Sequence, residues 1–246
     1  MSESKKIGPF SFLLRFVLGF TWLTFWSTLC MTMMVLALPS RTLRIRIGNF
    51  CGKIIGPVIT RIVGTKLINP DSQELKNSGP AIYVTNHTSA LDIFISMAIC
   101  PYGGCGVGKK EVVRIPFFGW AYWLSGHLLI DRGNREKAVA SMNKLSKFVN
   151  DKKLSIWIWP EGTRSMDGKL IPFKKGFVHL ALATRLPIIP VILHGSHKRW
   201  PAKTMQFYPG EVKVEVLEPI PTDSWSKDTI DDHVSEVRKV MASALS

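Results

Sequence analysis

Ala81-Ile82-Tyr83-Val84-Thr85, running directly into Asn86-His87-Thr88-Ser89-Ala90-Leu91-Asp92, is the stretch on which the fold turns. The apolar, β-branched run reads as a short strand, and Ser89 to Ile99, after a polar turn, reads as a helix. The same alternation recurs downstream. Apolar runs at Leu128 to Ile130, Leu154 to Trp159, Ile188 to Leu193 and Val212 to Leu217 read as strands, with helices at Glu136 to Asn150 and Gly176 to Thr184. A last helix, Lys227 to Leu245, sets Ile230, Val234, Val237 and Met241 on one face. This order specifies an α/β domain, a mostly parallel twisted sheet flanked by helices. No internal repeat is present.

Upstream the chain changes character. Phe16 to Leu38 is 23 residues without a charge, a helix of roughly 34 Å at about 1.5 Å per residue. Residues 1–70 hold nine basic side chains against the single acid Glu3, so +8 of the net +14 falls in the first third. Basic charge beside apolar bulk favours an anionic membrane surface over nucleic acid, and the eight Trp are spread through apolar runs rather than along a basic stripe. A cleaved signal peptide is the competing reading, with Lys5 and Lys6 as its charged start, but the apolar run is too long for that and a retained anchor is expected. Cations flank the run on both sides, so the positive-inside rule selects no orientation.

Arg41 to Lys66 follows, with Leu43, Ile47, Phe50, Ile54, Val58 and Ile62 at helical spacing and Arg44, Lys53 and Arg61 between them. A basic amphipathic helix of this kind can lie in the headgroup plane or pack on the catalytic domain. Pro39 suits a break between the two helices. Residues 1–66 therefore read as an N-terminal two-helix membrane-embedding unit and 67–246 as the α/β domain. With 246 residues, 46% hydrophobic and 20% charged, the chain is long enough for one full core and excludes a disordered class. Cys30, Cys51, Cys100 and Cys105 form no CxxC pair, which predicts a reduced compartment without a disulfide framework or zinc site.

Chemistry in such a fold gathers where strands end and helices begin. His87 and Asp92 stand at the first of these places. With His87 in the turn and Asp92 in the first helical turn, the carboxylate can reach back to the imidazole; Ser89 with Asp92 also matches a helix capping box. Pro160-Glu161-Gly162-Thr163-Arg164-Ser165, after the Leu154 to Trp159 strand, is the second. A Gly-containing turn with a Glu and an Arg can clamp the phosphate of a polyol, or be an ordinary polar turn. Two other patterns carry no such reading. Gly103 to Lys110 resembles a P-loop but ends in Lys110 where a hydroxyl is needed for Mg²⁺. His194 and His197 have no third metal ligand nearby, and no GxSxG nucleophile elbow is present.

Asn86-His87-x4-Asp92, Gly126-x-Leu128-Leu129-Ile130-Asp131-Arg132, Trp159-Pro160-Glu161-Gly162-Thr163-Arg164 and Leu186-Pro187-Ile188-Ile189-Pro190-Val191 occur in the order and spacing of the four motifs of glycerolipid acyltransferases. Residues 80–220 resemble the bacterial 1-acyl-glycerol-3-phosphate acyltransferases, with Trp159 where Phe is usual. The resemblance implies His87 as general base and Asp92 as its partner, with Glu161, Gly162, Thr163 and Arg164 binding the acceptor and Lys109 and Arg132 beside them. It implies transfer of a fatty acyl group from acyl-CoA or acyl carrier protein to lysophosphatidic acid, giving phosphatidic acid, with no cofactor and no metal. It also implies residence at the bacterial inner (cytoplasmic) membrane, with the catalytic domain on the cytoplasmic side. Another lysolipid acceptor, such as a lyso-ornithine lipid, or a catalytically silent lipid-binding scaffold are the alternatives.

Overall fold

The structure, a computed structural model, describes residues 6–70, 75, 79–131 and 133–246. Two helices, α1 (Pro9–Leu36) and α2 (Arg41–Val63), lead into β1 (Thr65–Ile68), β2 (Ile82–Thr85) and α3 (Leu91–Ile99). Then come β3 (Gly104–Lys109), α4 (Phe118–Leu124), β4 (Leu128–Ile130), α5 (Arg135–Lys152) and β5 (Ser155–Ile158). The chain closes with α6 (Gly176–Thr184), β6 (Ile188–His194), the short α7 (Ser196–Arg199), β7 (Gly210–Val216) and α8 (Ile230–Leu245). The strands form one sheet of order β1-β7-β6-β2-β5-β3-β4. Every neighbouring pair is parallel except β6 with β7.

Both faces of the sheet are covered, as parallel strands require. Tyr83, Trp157, Val191 and Val212 face a core shared with α1, α2 and α3. Ile82, Val84, Ile156 and Ile192 face a second core closed by α5, α6 and α8. The five strands read from the sequence are all present. β1 and β3 were not legible, because β3 is glycine-rich and glycine disfavours strands; the Tyr122 side chain lies across Gly106 and Gly108 and covers them.

The break expected at Pro39 falls between α1 and α2, where the Ser40 hydroxyl caps α2 by accepting from Leu43 N at 3.2 Å. The reading of α2 as a helix packed on the domain prevails on one face. Ile45, Gly52, Ile55, Gly56, Ile59 and Val63 are buried there. The stripe predicted for lipid is a different one, and Leu43 and Phe50 on it stay exposed. α1 buries only Ser27, Cys30 and Met34, and turns Phe10, Leu13, Val17, Phe20 and Phe25 outward. So large an apolar surface calls for a non-aqueous neighbour.

One expectation for this hairpin is overturned. Cys30 and Cys51 form a disulfide joining α1 to α2, contrary to the expectation of unpaired thiols. Their separation of 21 residues hides the pairing in the sequence, because only the antiparallel return of α2 brings them face to face. Cys100 and Cys105 remain free and buried. At Gly56, α2 and α3 approach so closely that a Cβ would collide with Phe94 O and meet Ala98 N at 2.7 Å. Gly56→Ala is therefore expected to lower the midpoint of thermal unfolding in detergent, despite alanine's better helix propensity, through overpacking worth about 1–3 kcal/mol. An unchanged or raised midpoint would show that this helix contact yields.

Candidate active site

The C-terminal ends of β2, β5, β3 and β6 meet at one edge of the sheet, and the side chains singled out in the sequence gather there. β2 is followed by Asn86, whose buried side chain clamps β6, donating to Leu193 O at 3.1 Å and accepting from Leu193 N at 2.8 Å. Nothing but the residue's place in its motif hinted at this role. The clamp fixes where the next residue, His87, begins.

Asp92 sits in the first turn of α3, fully buried, and its Oδ2 accepts three bonds: from Thr88 N at 2.6 Å, Ser89 N at 2.8 Å and His87 Nδ1 at 3.0 Å. Both contacts that the spacing allowed are present, since one oxygen accepts from Ser89 N at the helix entrance and from the imidazole. A carboxylate acceptor requires the proton on Nδ1, which leaves Nε2 as the basic nitrogen. Trp159 stacks on the imidazole, centroids 4.7 Å apart and planes 21° from parallel, and fixes the ring's tilt. An aromatic ring at position 159 therefore has a geometric purpose.

Glu161 takes a different place from the one expected of it. Its carboxylate is buried and accepts from His87 N at 2.7 Å and Ile171 N at 3.3 Å, so it ties the histidine loop to the following loop instead of facing a substrate. Burial pushes its carboxyl up to about 7, against the two N–H bonds that favour ionisation. Ser165 N donates to His87 O at 2.8 Å and completes the tie. Gly162 turns the chain between them at φ 72°, a left-handed conformation that any side chain would strain. Thr163 and Arg164 emerge from this turn into solvent, as does Lys109 at the end of β3. Neighbouring Lys110 is engaged with Asp131 at 2.8 Å. Arg132 lies outside the described residues.

An apolar cavity begins beside the dyad, and no sequence pattern announced it. It runs between α1, α2, α3 and α4 over β3 and β5, lined by Met34, Ile55, Met97, Phe118 and Trp157, with Trp159 also in its wall. Neutral His127 also lines it, its pKa lowered to about 4 by burial and the Arg41 charge, and its Nδ1 accepts from Gly106 N at 3.2 Å.

An acyltransferase family model matches residues 68–194 of this chain. The chain is 45% identical to the 1-acyl-sn-glycerol-3-phosphate acyltransferase of Limnanthes douglasii, over 84% of its own length and 73% of the relative's. The chain belongs to the acyltransferase family. The enzyme of the same name from Escherichia coli K12 is 36% identical over 73% of each chain. The crystal structure of the acyltransferase PlsC from Thermotoga maritima superposes with a TM-score of 0.77 at 22% identity, covering 96% of this chain and 93% of that one, and so shares its fold. The family match spans the dyad, the turn at Glu161 and the strand clamped by Asn86, so the acyltransferase region coincides with the edge just described.

Proposed function

We propose that this acyltransferase moves a fatty acyl group from a thioester, of coenzyme A or of acyl carrier protein, to the sn-2 hydroxyl of 1-acyl-sn-glycerol-3-phosphate, giving phosphatidic acid. The observation that carries the reading is the bonding of His87 Nδ1 to Asp92, with the imidazole stacked on Trp159, which forms part of the wall of an apolar cavity. The relatives' names supply the acceptor.

In this reaction Nε2 takes the proton of the acceptor hydroxyl as its oxygen attacks the thioester carbonyl. Asp92 stabilises the resulting imidazolium and keeps its orientation. Collapse of the tetrahedral intermediate expels the thiolate, and the imidazolium returns the proton to it. No covalent enzyme intermediate and no cofactor is required. The acyl tail occupies the cavity behind Trp159, which excludes water from the reacting carbonyl.

Arg164 and Lys109 hold the phosphomonoester, and the guanidinium fork both neutralises and orients it. Arg164→Ala is expected to lower kcat/KM for lysophosphatidate by about 10- to 150-fold, the equivalent of roughly 1.5–3 kcal/mol for a bond to a charged group. Arg164→Lys is expected to recover part of that loss, since it keeps the charge without the fork. The test is a panel of acceptors (lysophosphatidate, glycerol-3-phosphate, lysophosphatidylcholine and lyso-ornithine lipid) with both thioester donors. Preference for an acceptor without a phosphomonoester, together with an indifferent Arg164→Ala, would sink the assignment of the acceptor.

The outward apolar face of α1, a helix of mean hydropathy 1.4 in its most apolar window, supports residence in a bilayer, which also holds acceptor and product. We place the protein at the bacterial inner (cytoplasmic) membrane with the α/β domain on the cytoplasmic side. Sedimentation with membranes should resist high salt and yield to detergent, because salt screens charge and leaves apolar insertion intact. Release by salt alone would contradict it.

A further inference from the structure

A wide cleft of about 860 Å³ opens on the face of the sheet opposite α1 and α2, between the end of β6, α7, β7, the 168–170 loop and α8. Strand alternation fixes which face it occupies. Val212 and Val214 point into the core beneath α2, so Glu211 and Lys213, which line the cleft, point the other way. The lining is strongly basic, with Lys169, Lys198, Arg199, Lys213 and Arg238 as cations and Glu211 as acid, Lys213 being met by Glu215 at 3.1 Å. Glu211 is already met by Lys66 at 3.3 Å, whereas neither Lys169 nor Lys198 has a carboxylate within ion-pair distance among the described residues.

The cleft adjoins the dyad. Ser196 in α7 shares a 2.8 Å hydrogen bond with Thr88, next to His87. Gly195 and His197 flank Ser196 in the cleft wall, and Arg238, also in the wall, donates to Leu170 O at 3.0 Å, next to Ile171, whose N–H bonds Glu161. We infer that this cleft binds the phosphates of the acyl donor, the phosphoadenosine diphosphate head of a coenzyme A thioester. The inference rests on the acyl-transfer reading and names a donor and its site within it.

Three physical arguments select that ligand. The cleft is concave and within the roughly 300–1,000 Å³ that small-molecule sites occupy, whereas a carrier protein would need a patch of about 800 Å². Its cations outnumber what one phosphomonoester needs, and Arg164 and Lys109, assigned to the acceptor, do not line it. It also faces away from the apolar surface of α1, so a water-soluble head enters from the aqueous side while the acyl tail crosses His87 into the cavity beyond Trp159.

The test uses the full chain in detergent and the double variant Lys169→Ala/Lys198→Ala, with Lys213→Ala as a second. We expect KM for acyl-CoA to rise about tenfold or more, with kcat and KM for lysophosphatidate within about twofold. Acyl-dephospho-CoA should be a poorer donor for the wild type and barely distinguished from acyl-CoA by the double variant. An unchanged KM for acyl-CoA, a shift in the lysophosphatidate KM instead, or a wild type that accepts only carrier-protein thioesters overturns the inference. Equilibrium binding of CoA itself, without acceptor, reads the cleft independently of transfer. Equal affinity in wild type and double variant also overturns it, while a wild type that binds CoA through these lysines and transfers to no acceptor counts against the acyl-transfer reading alone.

Discussion

His87→Ala removes acyl transfer, lowering kcat by about 10² to 10⁴ or more, the range for loss of a positioned general base. The fold should survive, for reasons visible around the residue. The backbone bonds that tie this loop down, His87 N to Glu161 and Ser165 N to His87 O, do not involve the side chain. Asp92 keeps its bonds from Thr88 N and Ser89 N, so removing the imidazole leaves no carboxylate stranded without donors. Trp159 loses its stacking partner, yet it retains its place in the cavity wall. Circular dichroism and thermal unfolding should therefore match the wild type within a few degrees while thiol release falls to background. A folded variant keeping more than about a tenth of the rate would rule His87 out as the base.

The elements legible in the sequence were those whose side chains obey a period. β2, β5 and β6 are continuous apolar runs because both sheet faces are covered, and α8 shows its apolar stripe because one face meets solvent. β3 breaks the rule with Gly104, Gly106 and Gly108, since its identity as a strand comes from pairing with β5 and β4 and from the Tyr122 ring above it. The site divides along the same line. His87, Asp92 and the turn at Glu161 could be read because each follows a strand within a few residues. The inward turn of the Glu161 carboxylate could not, because its donors belong to residues 74 positions before and 10 after it. The Cys30 to Cys51 disulfide, the Asn86 clamp and the cavity were equally hidden, since each depends on how distant segments meet. In α2 the predicted stripe was real, but the face that docks is a second apolar stripe, Ile45, Ile55, Ile59 and Val63, with Gly52 and Gly56 letting α3 approach, and a helix apolar on two faces does not announce which one docks.

Asp92→Asn separates the two duties that converge on one carboxylate. All three donors bond to Oδ2, while Oδ1 is buried without a partner among the described residues. An asparagine that places its carbonyl oxygen at the Oδ2 position keeps every one of these bonds, and its amide nitrogen takes the unpartnered Oδ1 position. Asparagine is also as good a helix-capping residue as aspartate. Cap, loop geometry and imidazole tautomer are then preserved, and the change removes the negative charge facing the imidazolium that forms as the hydroxyl proton is taken up, while burying an amide NH2 at a position that offers it no acceptor. If the carboxylate served α3 alone, Asp92→Asn would be nearly silent. If it serves the base, kcat should fall by about 10² to 10⁴ with the KM of donor and acceptor within about twofold, as expected for an interaction made chiefly in the transition state. Thermal unfolding in the same preparation reads the structural cost separately, about 1–3 kcal/mol for the buried unpaired amide, while loss of charge compensation appears in the rate. A stable variant with a loss of less than about tenfold would reduce Asp92 to a helix cap and leave His87 to act without an electrostatic partner.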